Sequence, residues 1–237
     1  MKTETTAPHR CAIYFAPRLG TPWSELGSDW LGRCAATDRA RPQPALPDID
    51  AALLRRATEE PRRYGWHATL KAPFAIAPGH DIDDVRDALR ELCTRMAPFT
   101  LPAMEAVRMG RFLALRPQAP CEPLARVAAA CVTELHRFAA PLSDAETQRR
   151  RRSGLTPEQD ALLLRWGYPW VMQHFRFHLS LTGDLQGVDA RAQESLLAAA
   201  RVRFEALPPC EFDNICLFIE PTPGADFRLV EQMAFSG

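Results

Sequence analysis

Two tripeptides in this 237-residue chain set a histidine two residues ahead of a hydroxyl: His67-Ala68-Thr69 and His178-Leu179-Ser180. In an extended strand, residues i and i+2 point the same way, so imidazole and hydroxyl stand side by side roughly 6 to 7 Å apart along the backbone. Two such pairs facing each other across a cleft supply two groups that titrate near neutral pH and two hydroxyl donors. That set suits cleavage of a phosphodiester. One neutral imidazole takes the proton from an attacking hydroxyl or water, and the other, protonated, gives a proton to the leaving oxygen. The hydroxyls of Thr69 and Ser180 hold the non-bridging oxygens. The scheme requires no metal. A single His-x-Thr/Ser is a weak signal and a lone strand histidine is usually structural; two copies in matching contexts carry more weight.

Both copies lie in alternating segments. Over residues 66–74, Trp66, Ala68, Leu70 and Ala72 share one face and His67, Thr69 and Lys71 the other. Over residues 173–182, Phe175, Phe177, Leu179 and Leu181 oppose Arg176, His178, Ser180 and Thr182. Around them the chain reads as alternating helices and strands. A strand covers residues 11–16, too uniformly apolar for its buried face to be chosen. Thr21 caps a helix opened by Pro22, residues 33–47 form a loop with three prolines, and a helix runs from an Asp48 cap to about residue 59, stopped by Pro61. A helix capped at Asp81, strands near residues 99–108 and 111–116 and a helix over 122–139 complete one half. A helix capped by Thr156 with Pro157, the second alternating strand, a helix over 189–204 and strands over 212–220 and 227–235 make the other. Each half reads helix, alternating strand, helix, strand, strand, with His67 and His178 at matching places, a weak repeat of pattern. Residues 143–154 read as a mobile connector or lid.

Equal counts of 29 basic and 29 acidic residues give zero formal charge, which excludes a protein whose main task is coating nucleic acid or an anionic membrane. No run approaches the roughly 18 apolar residues of a membrane span, and residues 1–10 contain no apolar leader. Seven cysteines, odd in number and without a CxxC, read as reduced core residues. A cytoplasmic protein is expected.

With these residues in place, the chain resembles the two-histidine (2H) phosphoesterase superfamily, whose signature is a pair of His-x-Thr/Ser strands. Residues 10–17, 30–39, 62–74, 149–171 and 175–183 resemble more closely the subgroup encoded with phosphonate-utilisation genes. The resemblance implies a duplicated, bilobal α+β fold, two mostly antiparallel sheets around a central cleft with helices outside. It also implies His67 and His178 as the catalytic pair, with Thr69 and Ser180 as phosphate donors. Relatives of the subgroup often carry Thr at the position of Ser180, and the superfamily motif accepts either. The phosphonate association points to a ribose cyclic phosphate left after carbon–phosphorus bond cleavage.

The expected division is a single bilobal domain, with lobe one over about residues 48–140, lobe two over about 156–237, a connector at 141–155 and the strand at 11–16 unassigned. Lys71 and Arg176 share parity with the histidines and are candidate phosphate contacts, against the simpler reading of solvated rim charges. Tyr14 and Tyr168 are candidate pocket residues, ahead of Tyr64. His174 and His178 are about 13 Å apart on a strand, too far to share a metal; no metal or other cofactor is expected. The run 149–152 reads as an exposed helix end with substrate contact as the lesser alternative, and His9, His80 and His136 as surface residues. The expected activity is hydrolysis of a small cyclic phosphodiester. Two alternatives stand beside it, an RNA-end 2′,3′-cyclic phosphodiesterase and a non-catalytic protein that binds a phosphorylated metabolite. The partner is a small phosphorylated substrate rather than an extended nucleic acid or a membrane. The near symmetry of the halves leaves open which histidine is acid and which is base.

Overall fold

A computed structural model describes residues 7–237; the reading of the N-terminus as leaderless falls partly on residues 1–6, outside the described residues. The elements follow as β1 (Arg10–Phe15), α1 (Pro22–Leu31), β2 (Arg33–Cys34), β3 (Arg39–Ala40), α2 (Ala51–Ala57), α3 (Glu59–Tyr64), β4 (Ala68–Phe74) and α4 (Ile82–Thr94). Next come β5 (Phe99–Thr100), β6 (Met104–Met109), β7 (Phe112–Pro117), α5 (Glu122–Leu135), α6 (Asp144–Arg151) and α7 (Pro157–Trp166). The last are β8 (Leu179–Ser180), α8 (Ala190–Phe204), β9 (Glu211–Phe212), β10 (Asn214–Glu220) and β11 (Arg228–Ala234). The fold is α+β. A four-stranded antiparallel sheet in the order β11-β10-β1-β4 and a three-stranded one in the order β6-β7-β8 are its two main sheets.

The apolar run of β1 resolves into two faces. Cys11, Ile13 and Phe15 join Ala68 and Leu70 of β4 and Ile215 and Leu217 of β10 in the main core, under α4 and α5. Ala12, Tyr14 and Ala16 point the other way with Cys216 and Phe218, partly covered by Ala35, Tyr64 and Phe227. Each fully buried large side chain of the first face stabilises the fold by about 1.5–3 kcal/mol, and the sheet is held from that side. The second face remains available for a site.

Local signals place several helices as expected. Thr21 accepts from Ser24 N ahead of Pro22, and Asp81 and Thr156 form capping boxes with Asp84 and Gln159. Other expectations are corrected. The division into lobes at residues 141–155 does not hold in space, because β10 and β11 pair with β1 while β8 pairs with β7. Each sheet takes strands from both halves of the sequence, since element order does not fix long-range pairing. Asp50 rather than Asp48 caps α2, and Pro61 sits in the first turn of α3, where its missing N–H costs nothing. The 33–47 loop contains the β2–β3 hairpin. The helix from Glu122 ends at Leu135 and tightens into a 3₁₀ turn over His136–Phe138. Residues 143–154 are largely helix α6, closed at its start by a Ser143–Glu146 capping box, and α6 buries none of its residues.

The second alternating segment is not a strand along its length. Met172 takes φ +54° at the start of a 3₁₀ turn over Met172–His174, and only Leu179–Ser180 pairs with β7. Leu181 N and Thr182 N both reach Leu113 O, ending the ladder. Alternation of buried and exposed side chains needs extended backbone, not a partner strand, which is why the pattern overstated the element. All seven cysteines are free. Among the described residues no helix is long and apolar enough to cross a membrane.

Candidate active site

His67 precedes β4 by one residue and is placed from both sides. Before it, Gly65 takes φ +77° and ψ −179°, a conformation only glycine adopts readily, and a Cβ there would lie 2.5 Å from Ala35 Cβ. The carbonyl of Gly65 accepts from His67 Nδ1 at 2.9 Å. Next to it, Trp66 locks into the core by stacking on Phe204, and helix α1 approaches its indole so closely that only Gly27 fits. The imidazole stacks on Tyr14, ring centroids 3.9 Å apart. Thr69, directly opposite Tyr14 in the β1–β4 register, places its hydroxyl 3.5 Å from His67 Nε2.

His178 repeats the device. Its Nδ1 lies 2.8 Å from Arg176 O, again a carbonyl two residues upstream. A carbonyl only accepts, so each imidazole carries its neutral-state proton on Nδ1 and keeps the Nε2 lone pair for chemistry. Ser180 lies opposite Ala114, and the Phe112 ring is 5.5 Å from that of His178. Burial holds His67 down to about 4 against the Gly65 hydrogen bond, and a proton on His178 lowers it further, so the two imidazoles lie within electrostatic reach of each other. Burial also lowers His178, opposed by its bond to Arg176 O.

Three tyrosines and three arginines gather on the Tyr14 side of His67. Tyr14, buried and pushed well above its ordinary range, lies within electrostatic reach of Tyr64, Tyr168, Arg10 and Arg63, and Arg150 of Tyr168 and Arg10. Glu220, fully buried, accepts from Arg10 Nε at 2.6 Å and from Arg63. Burial pushes its carboxyl up, but the Arg10 hydrogen bond and charge outweigh this and hold it low. One carboxylate for two guanidiniums leaves this rim positive. Arg150 donates to Gly167 O and makes no ion pair among the described residues, whereas Arg151 is taken up by Asp160 at 2.6 Å.

Lys71 is not there. The β1–β4 register shifts at Ile13, which faces Lys71 instead of Leu70. Such a bulge flips the parity of every residue beyond it. Lys71 therefore turns to the core side, near Cys131 and His136. The side chain of Arg176 is exposed and lies over Trp170, 5.2 Å from the ring centroid; its carbonyl, not its charge, serves His178. Thr182 is buried and accepts from Leu113 N, a structural task. His174 pairs with Glu158 at 3.1 Å and His80 with Asp84 at 3.3 Å, while His9 lies 3.9 Å from Glu220. His136, expected at the surface, is half-buried and lines a partly open pocket with Lys71. Among the described residues no three His, Cys, Asp or Glu side chains group as a metal site. Sequence reading missed Arg10, Arg63 and Glu220; once Tyr14 is known to face the site, Arg10 follows from the i, i+4 spacing on β1.

An α+β protein with two histidine–hydroxyl pairs, their imidazoles within electrostatic reach of each other, is the class that fold and site define. The chain belongs to the family described as "Protein of unknown function (DUF1045)", which matches residues 69–228. It is 37% identical over 240 residues to ribose 1,5-bisphosphate phosphokinase PhnN of Janthinobacterium sp. (strain Marseille), covering 100% of this chain and 53% of that protein. It is 39% identical over 220 residues to the PhnN of Laribacter hongkongensis (strain HLHK9), covering 93% and 50%. The chain spans about half the length of these curated relatives. Among solved structures it is similar to E. coli LigT in apo form, with 15% identity, 98% of this chain and 100% of that chain covered, and a TM-score of 0.45.

Proposed function

We propose that this chain is a phosphodiesterase of the two-histidine kind that hydrolyses a small cyclic phosphodiester. The observation that carries it is the repeated anchoring of His67 and His178, each donating Nδ1–H to the carbonyl two residues upstream and each followed by a hydroxyl. His67 is the base, since burial keeps it neutral at pH 7. Its Nε2 takes a proton from water as the water oxygen bonds to phosphorus. The bond from phosphorus to the leaving oxygen breaks, and that oxygen receives a proton from His178. The charge of the bound phosphate favours the protonated form of His178, which burial disfavours. Thr69 and Ser180 donate to the non-bridging oxygens, and Arg150 with Tyr168 supplies further donors at the rim. The product is a phosphate monoester, and the two protons exchange back through solvent. The acid–base set is complete without a metal.

The kinase activity in the relatives' name is no part of this reading. The two lysines of the sequence, Lys2 and Lys71, each lack a preceding glycine, so these 237 residues hold no GxxxxGK[ST] loop. A name from phosphonate metabolism supports a ribose cyclic phosphate as the first substrate to try. Phosphorus NMR of EDTA-treated protein with 5-phosphoribosyl 1,2-cyclic phosphate, and separately with a 2′,3′-cyclic nucleotide, tests it. The first is expected to become a monoester. Conversion of the nucleotide alone moves the assignment to RNA ends, and saturable binding of either without conversion means a sensor.

A further inference from the structure

Lys71 is 4% exposed and, among the described residues, has neither a hydrogen bond nor an ion pair. Its Nζ lies 4.9 Å from the Phe74 ring centroid, and the thiols of Cys11 and Cys131 are its other neighbours. A buried ammonium without a counter-charge costs several kcal/mol unless something pairs with it. Beside it, His136 buries Nδ1 with no partner and sets its ring edge-on to Trp166, 5.1 Å between centroids. Both side chains line a cavity of about 290 Å³ between β4, the end of α5, and α6 and α7, with no acidic residue in its wall. The rest of that wall is mostly apolar, including Val132, Leu163 and Trp166, with Tyr168, which lies within electrostatic reach of Tyr14 and Tyr64, also in it.

We propose that this cavity binds a small organic anion, its carboxylate or phosphate paired with Lys71 and hydrogen-bonded by the His136 ring, its carbon body against Trp166 and Leu163. Two independent orphans, a cation and a buried ring nitrogen, belong to residues that line one partly open pocket. A carbon body suits the apolar wall, and a volume near the lower end of ligand pockets suits a small one. Burial lowers Lys71 to about 8, which still leaves it mostly charged at pH 7. The anion is either an arm of the substrate reaching past Tyr168 or a separate metabolite.

Because the chain has only two lysines, [ε-13C]lysine labelling gives two side-chain signals, and Lys71→Met assigns them. Titration with benzoate and with inorganic phosphate is expected to move the Lys71 signal saturably and raise Tm. Both responses should vanish in Lys71→Met and persist in His67→Ala. In His136→Phe the benzoate affinity should fall about tenfold; that variant stands in if Lys71→Met fails to fold. A Lys71 signal indifferent to both probes overturns the site, as does stabilisation that survives in Lys71→Met or affinity unchanged in His136→Phe. Displacement of bound benzoate by the turned-over cyclic ester identifies a substrate arm, and joint binding a separate ligand.

Discussion

Across the first sheet Thr69 faces Tyr14, and across the second Ser180 faces Ala114. The backbone device is the same in both places, an imidazole tied through Nδ1 to the carbonyl two residues upstream. The cover differs. A phenol ring stacks on His67 at 3.9 Å, while the residue opposite Ser180 is Ala114 and the aromatic neighbour of His178 is Phe112, tilted at 5.5 Å. The anchoring sets which nitrogen of each ring is free to act. The cross-strand neighbour sets how willingly that nitrogen takes a proton, because an aromatic cover removes the water that would solvate the cation. Burial lowers both imidazoles, His67 to about 4, and in the proposed reaction unequal proton affinity lets one act as base and the other as acid at one pH.

The most severe way to break the comparison is to remove either ring. His67→Ala and His178→Ala should each lower kcat/KM for the cyclic ester by about 10² to 10⁴-fold with circular dichroism unchanged; near-wild-type turnover in either would end the acid–base reading. Next come the hydroxyls. Thr69→Ala and Ser180→Ala should each cost about ten- to a hundredfold. Thr69 already sits 3.5 Å from His67 Nε2, whereas Ser180 makes no side-chain hydrogen bond among the described residues. Thr69→Ala should therefore disturb the pH profile as well as the rate, and Ser180→Ala the rate alone. Steady-state kinetics across pH separates the two.

What was legible in the sequence followed from short-range rules. His67, Thr69, His178 and Ser180 declare themselves by i, i+2 spacing, and Thr21, Asp81 and Thr156 by capping chemistry. Lys71 was misplaced because a bulge is a property of two strands in register, and the Lys71 half of that pair says nothing of Ile13. The lobe boundary failed for the same kind of reason: nothing within residues 214–234 states that they pair with residues 10–15. Glu220 was invisible since a single acidic residue at the end of an apolar strand reads as solvated. Only the register that sets it beside Arg10 shows that it is buried and shared.

The finest test exchanges the cover and leaves both histidines in place. Tyr14→Leu removes the stacked ring while keeping an apolar side chain, and should let water reach His67. Its proton affinity then rises from about 4 toward the ordinary 6.5, because burial is the largest cause of its depression. A base must be neutral, so the acidic limb of kcat/KM should move up by about one to two pH units as the burial effect is relieved, with little change in kcat above pH 8. Stability carries the same signature with a definite sign. Between pH 6.5 and 4 the unfolded chain binds a proton at His67 that the fold refuses, so wild-type stability falls as pH drops through that window, by at most about 3 kcal/mol. In Tyr14→Leu that slope should flatten even though the variant is less stable at pH 7 by about 1–3 kcal/mol for the lost packing. His178, which has no such cover to lose, gives the control: the basic limb, which reports the acid, should stay where it was. Movement of the basic limb in place of the acidic one would reverse the roles of the two histidines while leaving the chemistry of the pair intact.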